Sequence, residues 1–337
     1  MAEGRTTAPL SEDLDVRRKM LLILRILADA NEPMGSGNIA GELERYGTAL
    51  SERQVRNHLQ LMDDRGLTEP VGQSGRVLTA KGREELGNSM VASRMGFIGA
   101  RIDRLAYVSS FDVATGKGQV AMNVSLVPLP RLKEALDIIR EVVRAGLGFG
   151  DRIMIAEEGE ALGTTIPPGM AGIGTVCSVT LNGILLRHHI AVDSVYGGLL
   201  QTRERTPLRF TELVSYRGST LDPMQIFISG RMTSVWEAAT EGSGKIGASL
   251  REIPAVALQR AQQLIDRLAT YGLSGVLAVG APDQPICEMP VGMERAGLVV
   301  VGGLTPLAAV LERGIEVTNL PMHTTCDYSM LRPVFHV

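Results

Sequence analysis

The chain repeats part of itself, and this repeat constrains the fold more than any other feature of the sequence. Residues 114–147 match residues 239–273 at an offset of 126 positions. A second pair of segments, 174–186 and 297–309, aligns at an offset of 123. Two matching stretches in the same order indicate two copies of one structural unit, one after the other along the chain.

Both copies show the predicted element order strand, helix, strand, strand, short helix, strand, which is that of a ferredoxin-like β-α-β-β-α-β sandwich. One further strand is predicted before each copy, in "LAYVSSFDV" (105–113) and "MTSVWEA" (232–238). We therefore predict an α+β body of two tandem ferredoxin-like units, residues 97–215 and 216–337. The predicted strands are 118–126, 151–156, 172–179 and 190–195 in the first copy and 244–252, 274–280, 297–302 and 315–320 in the second, with long helices at 130–145 and 256–271.

The first ninety residues follow a different pattern, which is typical of a winged helix-turn-helix. Apolar positions at helical spacing predict a helix at 15–30, and a second helix follows in "GSGNIAGELERYG". A third helix begins at Ser51, where Gln54 can complete a capping box. Two short strands around a Gly-Gln-Ser-Gly turn come next. We assign residues 1–80 to a winged helix-turn-helix domain and residues 81–96 to a connecting helix.

The third predicted helix has an apolar face and a polar face. In a winged helix it enters the major groove, where Arg can read guanine and Asn or Gln can read adenine. A helical protein-interaction module with solvated arginines is the alternative interpretation. The residues predicted to contact DNA are Ser51, Arg53, Gln54, Arg56, Asn57, Gln60 and, on the hairpin, Arg76.

Charge and composition exclude several classes of protein. The net charge is −3, so the chain lacks the global basic field of a non-specific nucleic-acid binder. Residues 51–83 hold six basic and four acidic side chains, so positive charge is local to the predicted recognition helix and wing. No apolar run reaches the ~18 residues of a membrane span. Three widely spaced cysteines form neither a disulfide framework nor a zinc site. We expect a cytoplasmic protein without a cofactor, metal or membrane partner.

The segment "GTVCSVTLNG" (174–183) combines small polar residues with Cys177. It can be a nucleophile site, an anion cradle or a tight strand-to-helix turn. At the 123-residue offset Val300 occupies the position of Cys177, which favours packing over catalysis because a free Cys behaves as a small hydrophobe. The same alignment makes Asn182 the N-cap of the following helix. The helix N-terminus beside Ser178, Thr180 and Asn182 then suits an anion such as a carboxylate, or is ordinary capping.

Arg251 lies on a predicted core strand, where an arginine is unexpected unless it is paired. Its counterpart in the first copy is Ser125. Arg251 can therefore bind an anionic ligand, or it can form a buried pair with Asp222 or Glu252. The segment "YRGSTLDP" (216–223) adds Thr220 and Asp222 to the candidate ligand-binding residues, although Asp222 followed by Pro223 also fits an N-cap.

Taken together, these segments resemble the NrpR-type nitrogen repressors first known from methanogenic archaea. The resemblance rests on "ERQVRNHLQLMDDRGLT" and "GRVLTAKGREEL" in the head. In the body it rests on "GTVCSVTLNG", "RFTELVSYRGSTLDPMQIFI", "GSGKIGASLREIP" and "VVVGGLTPLAAVLERGIEV". Two departures are Thr305, where the family usually has Asn, and His189, where Gly is common.

The resemblance implies a ligand-responsive repressor that binds a palindromic operator of nitrogen-assimilation genes as a homodimer or dimer of dimers. It also implies that 2-oxoglutarate or a related metabolite releases the protein from DNA. The alternatives are a metabolite-binding enzyme and a sensor whose winged-helix head contacts protein rather than DNA. We find no set of residues that would make an acid–base pair or an activated nucleophile, so we expect no enzymatic activity.

Overall fold

The structure, a computed structural model, describes residues 10–30, 32–88 and 97–337 of the 337-residue chain. The chain divides into two compact units, Met1–Arg94 and Met95–Val337. Within the described residues, no helix combines the length and the apolar character that crossing a membrane requires.

The first unit is a winged helix. Its elements are α1 (Leu10–Asp29), α2 (Ser36–Arg45), α3 (Glu52–Asp64), β1 (Thr68–Pro70), β2 (Arg76–Leu78) and α4 (Ala80–Asn88). The predicted capping box is confirmed, because the Ser51 hydroxyl accepts from the Gln54 amide and the Gln54 side chain accepts from the Ser51 amide at 2.9 Å. Of the predicted connecting helix, residues 81–88 are helical, and residues 89–96 lie outside the described residues.

An apolar core joins the three helices to the hairpin. Val55, Leu59 and Met62 recur at helical spacing on α3 and are fully buried. They pack in one cluster with residues of α1, α2 and the strands. Because this cluster fixes one face of α3, the opposite face is left to solvent.

The second unit is built on two five-stranded antiparallel sheets with helices packed on them. Its helices are α5 (Phe97–Val108), α6 (Leu132–Arg144), α7 (Val179–Arg187), α8 (Pro223–Ser229), α9 (Val235–Glu241), α10 (Leu258–Ala269) and α11 (Thr305–Glu312). Its strands are β3 (Gln119–Pro128), β4 (Arg152–Ala156), β5 (Met170–Val176), β6 (Asp193–Arg203), β7 (Thr206–Ser215), β8 (Gly244–Pro254), β9 (Val276–Val279), β10 (Arg295–Val301), β11 (Thr318–Asp327) and β12 (Arg332–Pro333). The α+β class and the winged-helix head are as predicted.

The two copies exchange their last strands. The sheet orders are β11-β3-β5-β4-β12 and β7-β6-β8-β10-β9. Each sheet thus has the ferredoxin-like arrangement, but its fourth strand comes from the other copy: β6 pairs with β8, and β11 pairs with β3. The predicted units, 97–215 and 216–337, are therefore interlocked, because each supplies the last strand of the other's sheet. An alternating strand pattern shows that a strand forms but does not show which sheet it joins.

The extra strand predicted before each copy is also wrong. The first part of "LAYVSSFDV" is the end of α5, whose buried residues Ile98, Ile102 and Leu105 recur at helical rather than alternating spacing. Most of "MTSVWEA" belongs to the start of α9. Glu312 of α11 accepts hydrogen bonds from the amides of Val235 and Trp236 at 2.9 and 2.8 Å, which supplies the cap that this short helix needs.

Because the sheets share strands, we expect the second unit to unfold as one cooperative body. Ile173 in one sheet and Leu298 in the other are fully buried. Replacing either with Ala should lower the free energy of unfolding by about 2–5 kcal/mol. Calorimetry of the full chain should show both substitutions shifting the same transition. Two transitions, each sensitive to one substitution only, would contradict the strand exchange.

Candidate functional site

The polar face of α3 is the first candidate site. Arg53, Arg56, Asn57 and Gln60 are exposed and follow the i, i+3, i+4, i+7 spacing of one helix face. The buried residues on the opposite side hold this face outward. The face presents two guanidinium groups and two side-chain amides, which are the groups that form bidentate contacts with bases.

Two of these side chains have partners along the helix. Arg56 donates to Glu52 at 2.6 Å, and Gln60 donates to Asp64 at 3.5 Å. The side chains of Arg56 and Glu52 are 63% and 55% exposed, so this pair contributes little to stability and can be broken when another anion binds. Ser51 and Gln54 are exposed but bond to each other, and their evident role is to start the helix.

Arg76 does not belong to this exposed face. Its Nε donates to Asp63 Oδ2 at 2.7 Å, and both side chains are largely buried. Asp63 also accepts from the Thr68 hydroxyl at 2.5 Å. Arg76 therefore fixes the wing to the end of α3, and its predicted contact with DNA stays a prediction. A carboxylate thirteen residues away on another element gave no signal in the sequence.

The second candidate site is centred on Arg251 of β8, which is only 2% exposed. Its Nη1 donates to Ser178 O at 2.8 Å and to Asn182 Oδ1 at 2.5 Å, and its Nη2 donates to Ser178 Oγ at 2.7 Å. The guanidinium thus crosses from the second copy to the start of α7 in the first. Ser178 and Asn182 hold it in place with neutral acceptors.

The described residues supply Arg251 with no carboxylate. The predicted alternative, a buried ion pair with Asp222 or Glu252, is therefore wrong, and Glu252 instead accepts from the Gly292 amide. The buried Nε of Arg251 has no acceptor. Burial lowers the pKa of the guanidinium to about 10, so it remains a cation at neutral pH. A buried cation without a counter-ion is costly, and an anion placed beside it would be strongly favoured.

A cavity lies against Arg251. Its volume is about 30 Å³, which is room for about two water molecules, since one water needs roughly 10–15 Å³. Residues from both copies line it. Its polar and charged lining residues are Asn123, Cys177, Ser178, Ser194, Tyr216, Asp222, Ser249 and Arg251, and the apolar residues Ile102, Met224 and Met322 are among the others.

Four of the predicted ligand residues line this cavity: Cys177, Ser178, Asp222 and Arg251. Thr180, Asn182 and Thr220 do not. Asn182 accepts a hydrogen bond from Arg251 without lining the cavity. Thr180 is fully buried, with its hydroxyl bonded to the backbone of Ala121. Thr220 is half-buried outside the cavity.

Sequence reasoning missed Tyr216, Ser194, Asn123 and Ser249. Ser194 of the exchanged strand β6 pairs with Arg251 of β8, so no local pattern could have revealed it. Tyr216, by contrast, is in the segment "YRGSTLDP", so its position in the sequence could have suggested it.

Asp222 is the N-cap of α8, as the Asp-Pro pattern predicted. Its carboxylate accepts from the amides of Met224 and Gln225 at 2.9 and 3.2 Å. Burial raises the pKa of Asp222 to about 6, although these two hydrogen bonds and the charge of Arg101 act in the opposite direction. The cavity therefore contains a permanent cation and a carboxyl group that titrates close to neutral pH.

Cys177 is 6% exposed, and burial raises the pKa of its thiol to about 12. At neutral pH it is a thiol and not a nucleophilic thiolate. It packs in an apolar cluster with Ile102, Val179 and Met322. Packing rather than catalysis is thus the better description, as the sequence suggested.

The alignment of the two copies that placed Val300 opposite Cys177 was in error by two residues. Thr180 Oγ1 bonds to the backbone of Ala121, and Thr305 Oγ1 bonds to the backbone of Gly247. Because Ala121 and Gly247 are 126 residues apart, Thr180 and Thr305 are equivalent, at an offset of 125 rather than 123. Cys177 then corresponds to a glycine rather than to Val300.

The corrected alignment also changes the cap of α7. Its N-cap is Ser178, and Asn182 lies within the helix. In the second copy Leu304 is the N-cap and Thr305 is the first helical residue. Asn182 therefore does not cap its helix, contrary to the prediction.

Among the described residues, the contact between Arg251 and Ser178 has no equivalent. The positions equivalent to Arg251 and Ser178 hold Ser125 and Gly303, and Gly303 lines the same cavity. A Cβ on Gly303 would lie 2.2 Å from Val176 O and 2.6 Å from Asn123 Nδ2, so a side chain would not fit at this position. The two copies thus share one cavity, and Arg251 is the one arginine among its lining residues.

Comparison with known proteins gives consistent matches. Residues 95–333 match the family described as NrpR regulatory domains NRD1 and 2, and residues 21–86 match a ribonuclease R winged-helix domain. The global nitrogen regulator NrpRI of Methanosarcina mazei is 35% identical over 96% of this chain and 99% of its own length.

Two further relatives are longer than this chain. The global nitrogen regulators NrpR of Methanocaldococcus jannaschii and Methanococcus maripaludis are 32% and 30% identical over 91% and 87% of this chain, which spans 53% and 51% of their lengths. The crystal structure of a nitrogen repressor-like protein from Methanococcus jannaschii superposes with a TM-score of 0.61 at 27% identity, covering 71% of this chain and 98% of that one.

Asp222→Asn tests the electrostatics of the cavity. A folded-state pKa of about 6, above the ordinary 3.8, means that ionisation of Asp222 destabilises the fold. The contribution of the neutral Asp222 carboxyl to the free energy of unfolding is fully present below pH 3.8 and is lost as the pH rises through 6. Asn keeps the N-cap acceptor but cannot ionise. The variant should therefore be more stable than wild type around neutral pH, by up to about 3 kcal/mol, and equal to it in acid.

Urea unfolding across this pH range measures the free energy of unfolding of wild type and variant. Asp266→Asn, on the exposed side of α10, is the matched control. An Asp222→Asn variant that is less stable than wild type at every pH would contradict the expectation.

Proposed function

This chain belongs to the NrpR family of nitrogen regulators, and on that premise we propose that it is a repressor that binds a palindromic operator and is released by 2-oxoglutarate. Its relatives are nitrogen regulators, and the chain is a nitrogen-related transcriptional regulator with a winged-helix domain rather than an enzyme. The operator and the effector are the two parts of the proposal.

The exposed face of α3 supports the proposed binding to an operator. Arg53, Arg56, Asn57 and Gln60 form one accessible row, and they are the side-chain types that read base edges in the major groove. A palindrome places two equivalent half-sites about one helical turn apart, ~34 Å, and calls for two equivalent recognition helices. We therefore propose that a homodimer, or a dimer of such dimers, is the form that binds.

The observation that carries the effector proposal is the buried guanidinium of Arg251, which has no carboxylate partner and has an Nε without an acceptor. A dicarboxylate keto acid would supply the missing negative charge. Hydroxyl and amide groups of Ser194, Ser249 and Asn123 line the same cavity and suit its remaining oxygens. Such a ligand switches the protein only if it prefers one of its conformations, and the small size of the cavity supports such a preference, because binding requires it to widen.

We expect Arg56→Ala to weaken operator binding by about 1–3 kcal/mol and to flatten the base preference at one position, since the loss of one bidentate contact has this effect. Arg53→Ala/Arg56→Ala should weaken it further. Arg45→Ala, an exposed arginine of α2 paired with Glu42, is the control and should bind like wild type. Fluorescence anisotropy with the protein's own promoter DNA at several salt concentrations measures both affinity and salt dependence. If the double variant binds the operator as tightly as wild type does, α3 is not the recognition helix, and a protein-binding head becomes the better interpretation.

Arg251→Met should abolish the response to 2-oxoglutarate while leaving operator binding in place, so that the variant represses permanently. Isothermal titration calorimetry of the wild type should give one 2-oxoglutarate per chain, because the two copies share one cavity and Arg251 is the one arginine among its lining residues. Arg217→Met, which removes an arginine that is 80% exposed, is the control, and circular dichroism verifies that both variants fold. No heat with millimolar 2-oxoglutarate, together with unchanged operator binding, would remove this effector and leave the repressor proposal standing.

A further inference from the structure

Helix α5 forms an apolar wall of the cavity beside Arg251. Ile102 lines the cavity directly. Ile98, Ile102, Leu105 and Ala106 of this helix pack in one cluster with Cys177, Val179, Tyr216 and Met322. Five of the residues that line the cavity, Ile102, Cys177, Val179, Tyr216 and Met322, therefore belong to the cluster that holds α5 in place.

Helix α5 also packs closely against α7, whose first turn holds Arg251. A Cβ on Gly183 of α7 would lie 2.7 Å from Ala106 O and 2.7 Å from Ser109 Cβ. Because residue 183 is a glycine, the backbone of α7 can lie directly against Ala106 and Ser109. A shift of α7 would therefore be transmitted to α5.

The strands that line the cavity resist movement more strongly than α5 does. Asn123, Ser249 and Arg251 lie on central strands, β3 and β8, each hydrogen-bonded to a strand on both sides. Moving these strands would break backbone hydrogen bonds in two ladders at once. Helix α5 satisfies its own backbone and is held by the apolar cluster and by Arg101, which donates to Pro321 O at 3.5 Å. Its displacement breaks no sheet ladder.

The cavity must widen to hold a five-carbon dicarboxylate, because as it stands it has room for about two waters. Helix α5 is also the first element of its unit, and residues 89–96 join it along the chain to the winged-helix unit. This wall, which can move without breaking a sheet ladder, is thus the element next to the winged-helix unit in the sequence.

We propose that α5 is the movable wall of the effector cavity and that its displacement carries the effector signal to the winged-helix unit. This inference rests on the proposed effector function of the Arg251 cavity. It assigns the regulation of that site to Ile102 and the helix that carries it.

Paired substitutions on α5 separate this role from plain stability. Ile102→Ala enlarges the cavity, and Leu105→Ala removes a similarly buried side chain of the same cluster that does not line the cavity. In full-length protein, Ile102→Ala should bind 2-oxoglutarate several-fold tighter, because the cavity is already widened. The ratio of operator affinities without and with 2-oxoglutarate should fall toward one. Leu105→Ala should leave the affinity for 2-oxoglutarate and this ratio near their wild-type values.

Hydrogen exchange on the full-length wild type gives the direct measurement. Saturating 2-oxoglutarate should change the exchange of the amides of α5 and leave those of the central strand β8 unchanged. If 2-oxoglutarate binds and releases the operator while α5 exchanges as before and Ile102→Ala behaves like Leu105→Ala, α5 is not the transmitting element and the proposed function survives. If 2-oxoglutarate does not bind at all, this proposal and the effector part of the proposed function are both overturned, and the operator part is unaffected.

Discussion

The exchange of β6 and β11 between the two copies is the constraint on which the rest of the regulatory unit depends. Each of these strands contributes a full antiparallel ladder to a sheet that its own copy did not begin. The exchange places Ser194 next to Arg251, and it places Pro321 and Met322 against the same cavity. The candidate effector site is consequently a product of the duplication as a whole, and neither copy contains it.

The electrostatics of the site follow from this geometry. Arg251 is removed from water but is held by neutral acceptors, and Asp222 is buried nearby with its oxygens partly engaged in capping α8. Neither charge neutralises the other through a direct ion pair among the described residues. A site of this kind stores an unfavourable desolvation energy that a matching ligand can relieve, which is the energetic basis for a preference between two conformations.

Local patterns in the sequence predicted local structure well. The Ser51–Gln54 capping box, the polar face of α3 and the Asp222 cap each depend on residues within a few positions of one another. Arg251 could be identified because a cation is unexpected in an apolar strand. The strand exchange, the Arg76–Asp63 pair and the contribution of Ser194 depend on contacts between distant segments, which no pattern in a single sequence encodes. The two-residue error at Cys177 has the same cause, since the register of β5 is set by its pairing with β3.

The strand exchange also sets an order for biosynthesis. The first strand of the regulatory unit, β3, pairs with the last long one, β11, so its sheet cannot be completed until nearly the whole unit has been translated. During that interval β3 has an open edge, which in a nascent chain is a site for wrong pairing. Two of its buried side chains are polar: Asn123 accepts from the Met322 amide of β11, and Ser125 donates to Asn319 of the same strand. Until β11 arrives these groups remain solvated, and an apolar strand from another chain could not satisfy them. The same buried polar contacts that complete the native sheet thus discourage premature association on the ribosome.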